Sequence, residues 1–221
     1  MQLPYTLYTT EIPVKGIGYL VLNDPDALKD GVNALLAKGA TTVFARGPLE
    51  EGERDGLDIL YAHDLLVMER SLAGRPAPEG KLRLEALREH EAPVYIQIHN
   101  ESFFTVPNGA TIDRSELDKL LRPVERAGIV WLGTRPVGIY NCILEGDVPE
   151  IDALGLIKVM RGKGLGRELL RSILGLLAAE GYGRCSLMVS TANEAAFALY
   201  RAEGFTVTEK HSTWYEVRRH A

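Results

Sequence analysis

One short stretch constrains this chain more than any other: Arg161-Gly162-Lys163-Gly164-Leu165-Gly166, set between a strand-like run and an amphipathic helix. A helix N-terminus carries unpaired backbone N–H groups and a partial positive charge, so it favours an anion. Glycines let the backbone come close to that anion. Arg161 and Lys163 add positive charge. The ligand this pattern suits is a phosphate or pyrophosphate. The loop lacks the Lys-Ser or Lys-Thr pair of a Walker A loop, and its three glycines are evenly spaced, unlike GxGxxG.

Around the loop the chain reads as alternating strands and helices. Lys81–Leu87 alternates apolar and polar residues with period two, and Val94–Phe104 has helical spacing. Asp113 is placed to cap a short helix carrying Leu117, Leu120 and Leu121. Ile129–Leu132 and Val137–Leu144 read as a hairpin turning at Gly133–Pro136, and Glu150–Leu156 as a third strand. Arg167–Glu180 has apolar residues at i, i+3 and i+4 and stops at Gly181. Arg184–Val189 is a strand and Asn193–Glu203 a helix stopped by Gly204. Phe205–Val207 and Thr213–Val217 read as two closing strands. Hairpins beside a βαβ crossover imply an α/β (α+β) fold with a mixed sheet.

The order strand, R-G-K-G-L-G, helix, strand, then N-E-A-A-F-A-L-Y-R-A-E-G-F resembles the GNAT (GCN5-related N-acetyltransferase) superfamily. Its cofactor motif has the form (Gln/Arg)-x-x-Gly-x-(Gly/Ala), filled here by Arg161, Gly164 and Gly166. Its next motif is matched by Asn193, Tyr200, Gly204 and Phe205. The resemblance runs from about Leu82 to Val217. Lys158 stands near a place where the family often has proline.

The resemblance implies an N-acetyltransferase in which a primary amine attacks the thioester of acetyl-CoA directly. The pyrophosphate would lie on Gly162–Gly166, including Lys163 and Leu165. The pantetheine arm would run along Leu154, Gly155 and Leu156, with Asn193 nearby. Tyr200 would be the acid for the departing thiolate. Glu150 and Asp152 are the base candidates, Glu150 preferred. Strand alternation puts both on the face of Leu154 and Leu156. Thr191 and Glu194 are expected to form a capping box. His99, Asn100, Glu101, Phe103 and Phe104 sit where the family builds its acceptor wall. The alternative is an acyl-CoA-binding or sensing module without turnover.

Gly/Pro-rich Ala73–Gly80 is expected to be a linker dividing segment 1–75 from a catalytic domain at 82–221. The first segment repeats the order helix, glycine, strand: Leu35–Gly39 then Thr42–Ala45 echoes Leu177–Gly181 then Cys185–Met188. It is expected to be a degenerate GNAT-like half without a cofactor loop. Charge narrows the partners. The net charge is -5, without a dense Lys/Arg block, so no nucleic-acid partner is expected. Cys142 and Cys185 lie in apolar runs and read as buried thiols, and the five histidines have no metal-ligand spacing. No signal peptide or membrane span is expected, which makes the cytoplasm the default compartment. A monomer or homodimer acting on a small-molecule or peptide amine completes the expectation.

Overall fold

The computed structural model describes residues 3–73 and 80–220. Most of the expected linker, residues 74–79, lies outside them. By its contacts the chain forms two compact units: 1–66 with 190–192 and 210–221, and 67–189 with 193–209. The expected division at 75/82 thus differs from the observed one. The two long strands β5 (Leu57–Ser71) and β11 (Thr206–Arg219) each begin in one unit and end in the other. β11 is one strand where two closing strands were expected. Its sequence, Thr-Val-Thr-Glu-Lys-His-Ser-Thr-Trp-Tyr, has no Gly or Pro to interrupt it.

In the first unit, β1 (Tyr5–Tyr8) pairs antiparallel with β2 (Ile17–Leu22), and β2 pairs parallel with β3 (Thr42–Arg46). Helix α2 (Leu28–Ala37), which follows the short α1 (Ile12–Lys15), makes the crossover. β3 then pairs antiparallel with β11, Tyr215 facing Ala45 and Val217 facing Val43. β4 (Gly52–Arg54) adds to β5. One face of this sheet supplies Leu20, Val43, Ala45 and Val217 to a core shared with Leu28, Val32 and Leu35 of α2. Gly18 and Gly31 permit that approach, because a Cβ on either would come within 3 Å of a leucine methyl.

The second unit follows the expected element order closely. Its strands run β10 (Arg184–Ser190), β9 (Glu150–Leu156), β8 (Arg135–Ile143), β7 (Gly128–Leu132), β6 (Leu82–Ala86). The pairs β6–β7, β7–β8 and β8–β9 are antiparallel, and β9–β10 is parallel. Helix α3 (Ala92–Phe103) packs Tyr95 and Ile98 on one face of this sheet, against Ile129, Ile139 and Ala153. Helix α5 (Leu165–Ala179) makes the crossover between the parallel neighbours β9 and β10. Its Leu169, Leu170, Ile173, Leu174 and Leu177 are all buried. Asp113 caps the 3-10 turn Arg114–Glu116, accepting from the Ser115 amide, and that turn leads into the expected short helix α4 (Leu117–Leu120), whose own N-cap, Glu116, makes no side-chain cap bond.

Helix α6 (Glu194–Ala202) is capped differently from expectation. Asn193 is the N-cap, its Oδ1 accepting from the Ala196 amide at 3.4 Å. Thr191 and Glu194 make no capping box. The Thr191 hydroxyl instead accepts from the Asp64 amide at 3.0 Å. Sequence spacing allows either cap; the long-range strand contact decides which residue is free to serve.

Candidate active site

β9 and β10 are paired only at Glu150–Ser186 and Ile151–Leu187. Both strands continue, to Leu156 and Ser190, without further pairing to each other. From Asp152 onward, β9 therefore presents backbone N–H and C=O groups on that side with no strand partner. Such groups must find other donors and acceptors. The extended arm of an acyl carrier, with its own amides, is a suitable occupant.

The divergence coincides with a break in register. Asn141 of β8 faces Ala153, whereas Cys142 faces Ile151, so Asp152 is an extra, bulged residue. A bulge re-aims the side chains around it. A Cβ on Gly155 would meet Ser102 and Phe103, so the Gly155 position faces α3. Ala153 joins the core under α3 as well. Leu154 and Leu156 consequently point to the opposite face. Asp152 turns toward the α3 side, where its Oδ2 accepts from Asn141 Nδ2 at 3.1 Å. The expectation that Asp152 shares a face with Leu154 and Leu156 fails at the bulge. Period-two alternation holds only within one register.

Beneath the exposed Asp152 lies a buried polar group that the sequence reading missed. Asn141 is 2% exposed and its Nδ2 also donates to Glu125 Oε2 at 2.8 Å. The Glu125 side chain is fully buried and paired with Arg122 at 3.0 Å. Tyr95 of α3 stands over the same cluster; burial, with Asp152 and Glu125 nearby, holds its phenol protonated well above the usual range. Glu150 is half-buried, and burial together with Asp152 raises its carboxyl above the ordinary value. The signal available in the sequence was Asn141 itself, a polar residue in the middle of an apolar strand.

At the other end of β9 the chain makes a 3-10 turn, Lys158–Met160, and enters the glycine loop. Gly162 and Gly164 have φ of 72° and 79°, and nothing lies within 4 Å of a Cβ built on either. Gly164 is the N-cap of α5 and has no side chain to satisfy the amides of the first turn. The space beside both glycines is open and no side chain caps the first turn, as an anion site requires.

Arg161 behaves otherwise. Its Nε donates to the Leu156 carbonyl at 2.9 Å and its Nη2 to the Ser102 carbonyl at 3.2 Å. The guanidinium thus ties the end of β9 to α3, so any contact it makes with a phosphate is through its backbone or its remaining N–H groups. Glu101 supports the same corner by accepting from the Lys158 amide at 3.0 Å.

Two of the expected acceptor-wall residues are structural. Glu101 has just been placed, and Asn100 clamps Ile112 by a reciprocal pair of hydrogen bonds, both 2.9 Å. The aromatic rings remain. His99 stacks on Phe103 at 4.7 Å and lies 6.3 Å from Tyr95, forming a stripe along one side of α3. Phe104 is 49% exposed. On α6, the Tyr200 ring lies 5.8 Å from Phe205, and burial pushes its phenol up to about 12. The phenol is therefore protonated at neutral pH. Cys142 and Cys185 are buried and free, and among the described residues no group of three acidic, His or Cys side chains could hold a metal. None of the helices described is long and apolar enough to cross a membrane.

Comparison with known proteins agrees with this geometry. Residues 84–205 match the model of the acetyltransferase (GNAT) family. A mycothiol acetyltransferase of Corynebacterium glutamicum (strain R) is 40% identical over 85% of this chain and 71% of its own length. One from Clavibacter michiganensis is 31% identical over 81% of this chain and 63% of its own. One from Corynebacterium efficiens is 32% identical over 53% of this chain and 41% of its own. The chain therefore spans about two fifths to two thirds of the first curated relatives it matches. Among solved structures, a GCN5-related N-acetyltransferase from Sphaerobacter thermophilus superposes over 96% of this chain with a TM-score of 0.62 at 16% identity, a likeness of fold. With the glycine loop, the diverging strands and the family match covering the same residues, the chain belongs to the GNAT acetyltransferase family.

Proposed function

We propose that this protein is an N-acetyltransferase that moves an acetyl group from acetyl-CoA to a primary amine. The observation that carries the reading is the combination of an open, amide-lined glycine loop with a strand whose edge is left unpaired just before it. The residues fit acetyl-CoA. The amides at Gly162–Gly166, with Lys163, would hold the pyrophosphate. The edge at Leu154–Leu156, apart from the Leu156 carbonyl that Arg161 holds, would take the pantetheine arm, and an amide on that edge would support the oxyanion as it forms. Asn193 caps α6 and contributes to the cofactor region through that helix's position. The arrangement requires no covalent enzyme intermediate. The neutral amine attacks the thioester carbonyl, the C–S bond breaks, and the thiolate takes a proton from Tyr200.

The ammonium must first lose a proton. Of the two carboxylates considered, Asp152 is the stronger candidate base. It is exposed at the point where β9 and β10 part, and Asn141 holds one of its oxygens, leaving the other for the amine. Glu150 lies one step further into the paired region. Its raised carboxyl makes it the partner through which the proton could pass to solvent. The names of the curated relatives favour an amine borne on a thiol-containing small molecule as acceptor. Residues 1–66 would then be a degenerate GNAT-like half: they repeat the strand–helix–strand crossover and have no glycine loop. A soluble cytoplasmic enzyme, monomeric or dimeric, is consistent with this reading.

The test is acetyl-CoA binding by isothermal titration, followed by thiol release with a panel of primary amines. Binding with amine-dependent release supports the reading. Binding without release for any amine supports the acyl-CoA sensor instead. Absence of binding refutes both.

A further inference from the structure

The first unit's sheet has α2 on one face. The opposite face carries a different set of residues. On β2 and β3, Tyr19 and Phe44 are register partners, and their rings lie 6.0 Å apart, nearly parallel. The register of β3 with β11, which sets Tyr215 opposite Ala45, places Trp214 opposite Arg46. The Trp214 ring meets Tyr19 edge-on at 5.5 Å, and the Arg46 guanidinium lies 5.6 Å from its centroid. Ser212 is two residues along β11 and so shares the face of Trp214.

Three donors on this face are buried without a hydrogen-bond partner: Arg46 Nε, Trp214 Nε1 and Ser212 Oγ. Trp214 is 7% exposed. Arg46 is half-buried, and among the described residues no carboxylate lies within ion-pair distance of it. Glu216, two residues beyond Trp214 on β11, is already held bidentately by Arg218 at 2.7 and 2.9 Å. An arginine in an acidic protein, lying over an indole with its Nε buried and unpartnered, has an incomplete set of partners. What would complete it is negative, rich in oxygen acceptors and planar or apolar next to its charged end.

We propose that this face of the first unit is a binding site for a small organic oxyanion, its charged group on Arg46, the Trp214 indole N–H and the Ser212 hydroxyl, and its ring or apolar portion on Tyr19 and Phe44. An arginine fork suits a carboxylate or a phosphate equally, so the two are the alternatives to be told apart. The site uses no residue of the glycine loop or of β9.

The chain has two tryptophans, Trp131 and Trp214, so a 1H–15N spectrum of the full chain shows two indole signals, one of them an internal control. Trp214→Phe assigns them. Benzoate and phenyl phosphate serve as probes, with benzyl alcohol as the uncharged control and inorganic phosphate as the ringless one. The expected result is a saturable shift of the Trp214 indole with benzoate or phenyl phosphate, the tighter of the two identifying the anion. Trp131 should stay unmoved, and benzyl alcohol should have at least tenfold weaker effect. Arg46→Gln should weaken binding at least tenfold, and Arg46→Lys, which keeps the charge and loses the fork, should lie between. A Trp214 signal unmoved by either anion overturns the proposal. So does an equal response to the alcohol, or unchanged binding in an Arg46→Gln protein whose remaining spectrum is that of the parent.

Discussion

Replacing Asn141 by alanine tests both the packing and the chemistry of the second unit. The side chain is nearly inaccessible and donates to two carboxylates, Glu125 at 2.8 Å and Asp152 at 3.1 Å. Hydrogen bonds to charged groups contribute about 1.5–3 kcal/mol each. The two are unequal here. Asp152 is exposed, so water replaces the lost donor at little cost. Glu125 is buried and would keep only Arg122, whose own side chain is 53% exposed. The structural cost is thus mainly one buried charge-assisted bond, about 2–3 kcal/mol, with a smaller cavity contribution. At about 2–4 °C per kcal/mol for a chain of this size, the midpoint should fall by about 4–12 °C. The assay is calorimetric unfolding at neutral pH, read alongside kcat/KM. Asn141 holds one oxygen of Asp152, so its loss should also lower kcat/KM. A midpoint change under 1 °C would refute the assignment of Asn141 as the link between the two acids. An unchanged kcat/KM, with Asp152→Asn inactive, would refute its part in setting the base.

Other predictions concern single positions. Gly164→Ala places a side chain at φ 79°, costing about 1–2 kcal/mol, and should weaken acetyl-CoA binding in titration by at least tenfold while the rest of the fold survives. Gly155→Ala pushes a methyl to 2.8 Å from Ser102 Cβ, and overpacking of this kind costs about 1–3 kcal/mol, measurable by denaturant unfolding. Tyr200→Phe should lower kcat by about 10²–10⁴-fold with acetyl-CoA affinity kept, and in the parent enzyme any basic limb due to this phenol should appear only near pH 12. Arg161→Ala should lower thermal stability as well as cofactor binding, because its guanidinium joins β9 to α3; a change in binding alone would contradict that role.

Most of the second unit was legible in the sequence because its signals are local. The apolar period of Leu169–Leu177, the glycines at 181 and 204 and the Gly133 turn all act within a few residues, and each element appears where the pattern places it. The glycine loop was legible for the same reason. What escaped was non-local. The bulge at Asp152 depends on how β8 meets β9, and it reverses which side chains share a face. The Arg161 side chain was read as a phosphate ligand from its charge, but the carbonyls of Leu156 and Ser102, the latter 59 residues away, claim it. The choice of Asn193 over Thr191 as cap is set by Asp64, which no local pattern contains.

The extra residue at 152 also bears on how a protein with the proposed activity could change its preference. An insertion of one residue in β9 moves a carboxylate without touching the loop proposed to hold the cofactor. Insertions and deletions at that point would therefore alter where the amine is met while leaving the donor side intact. Substitutions along β9 are the poorer route, since Ala153 and Gly155 are closed in by the core under α3 and by the α3 backbone's own side chains. Under the proposed function, length at the bulge, more than residue identity around it, is the variable through which acceptor choice would drift.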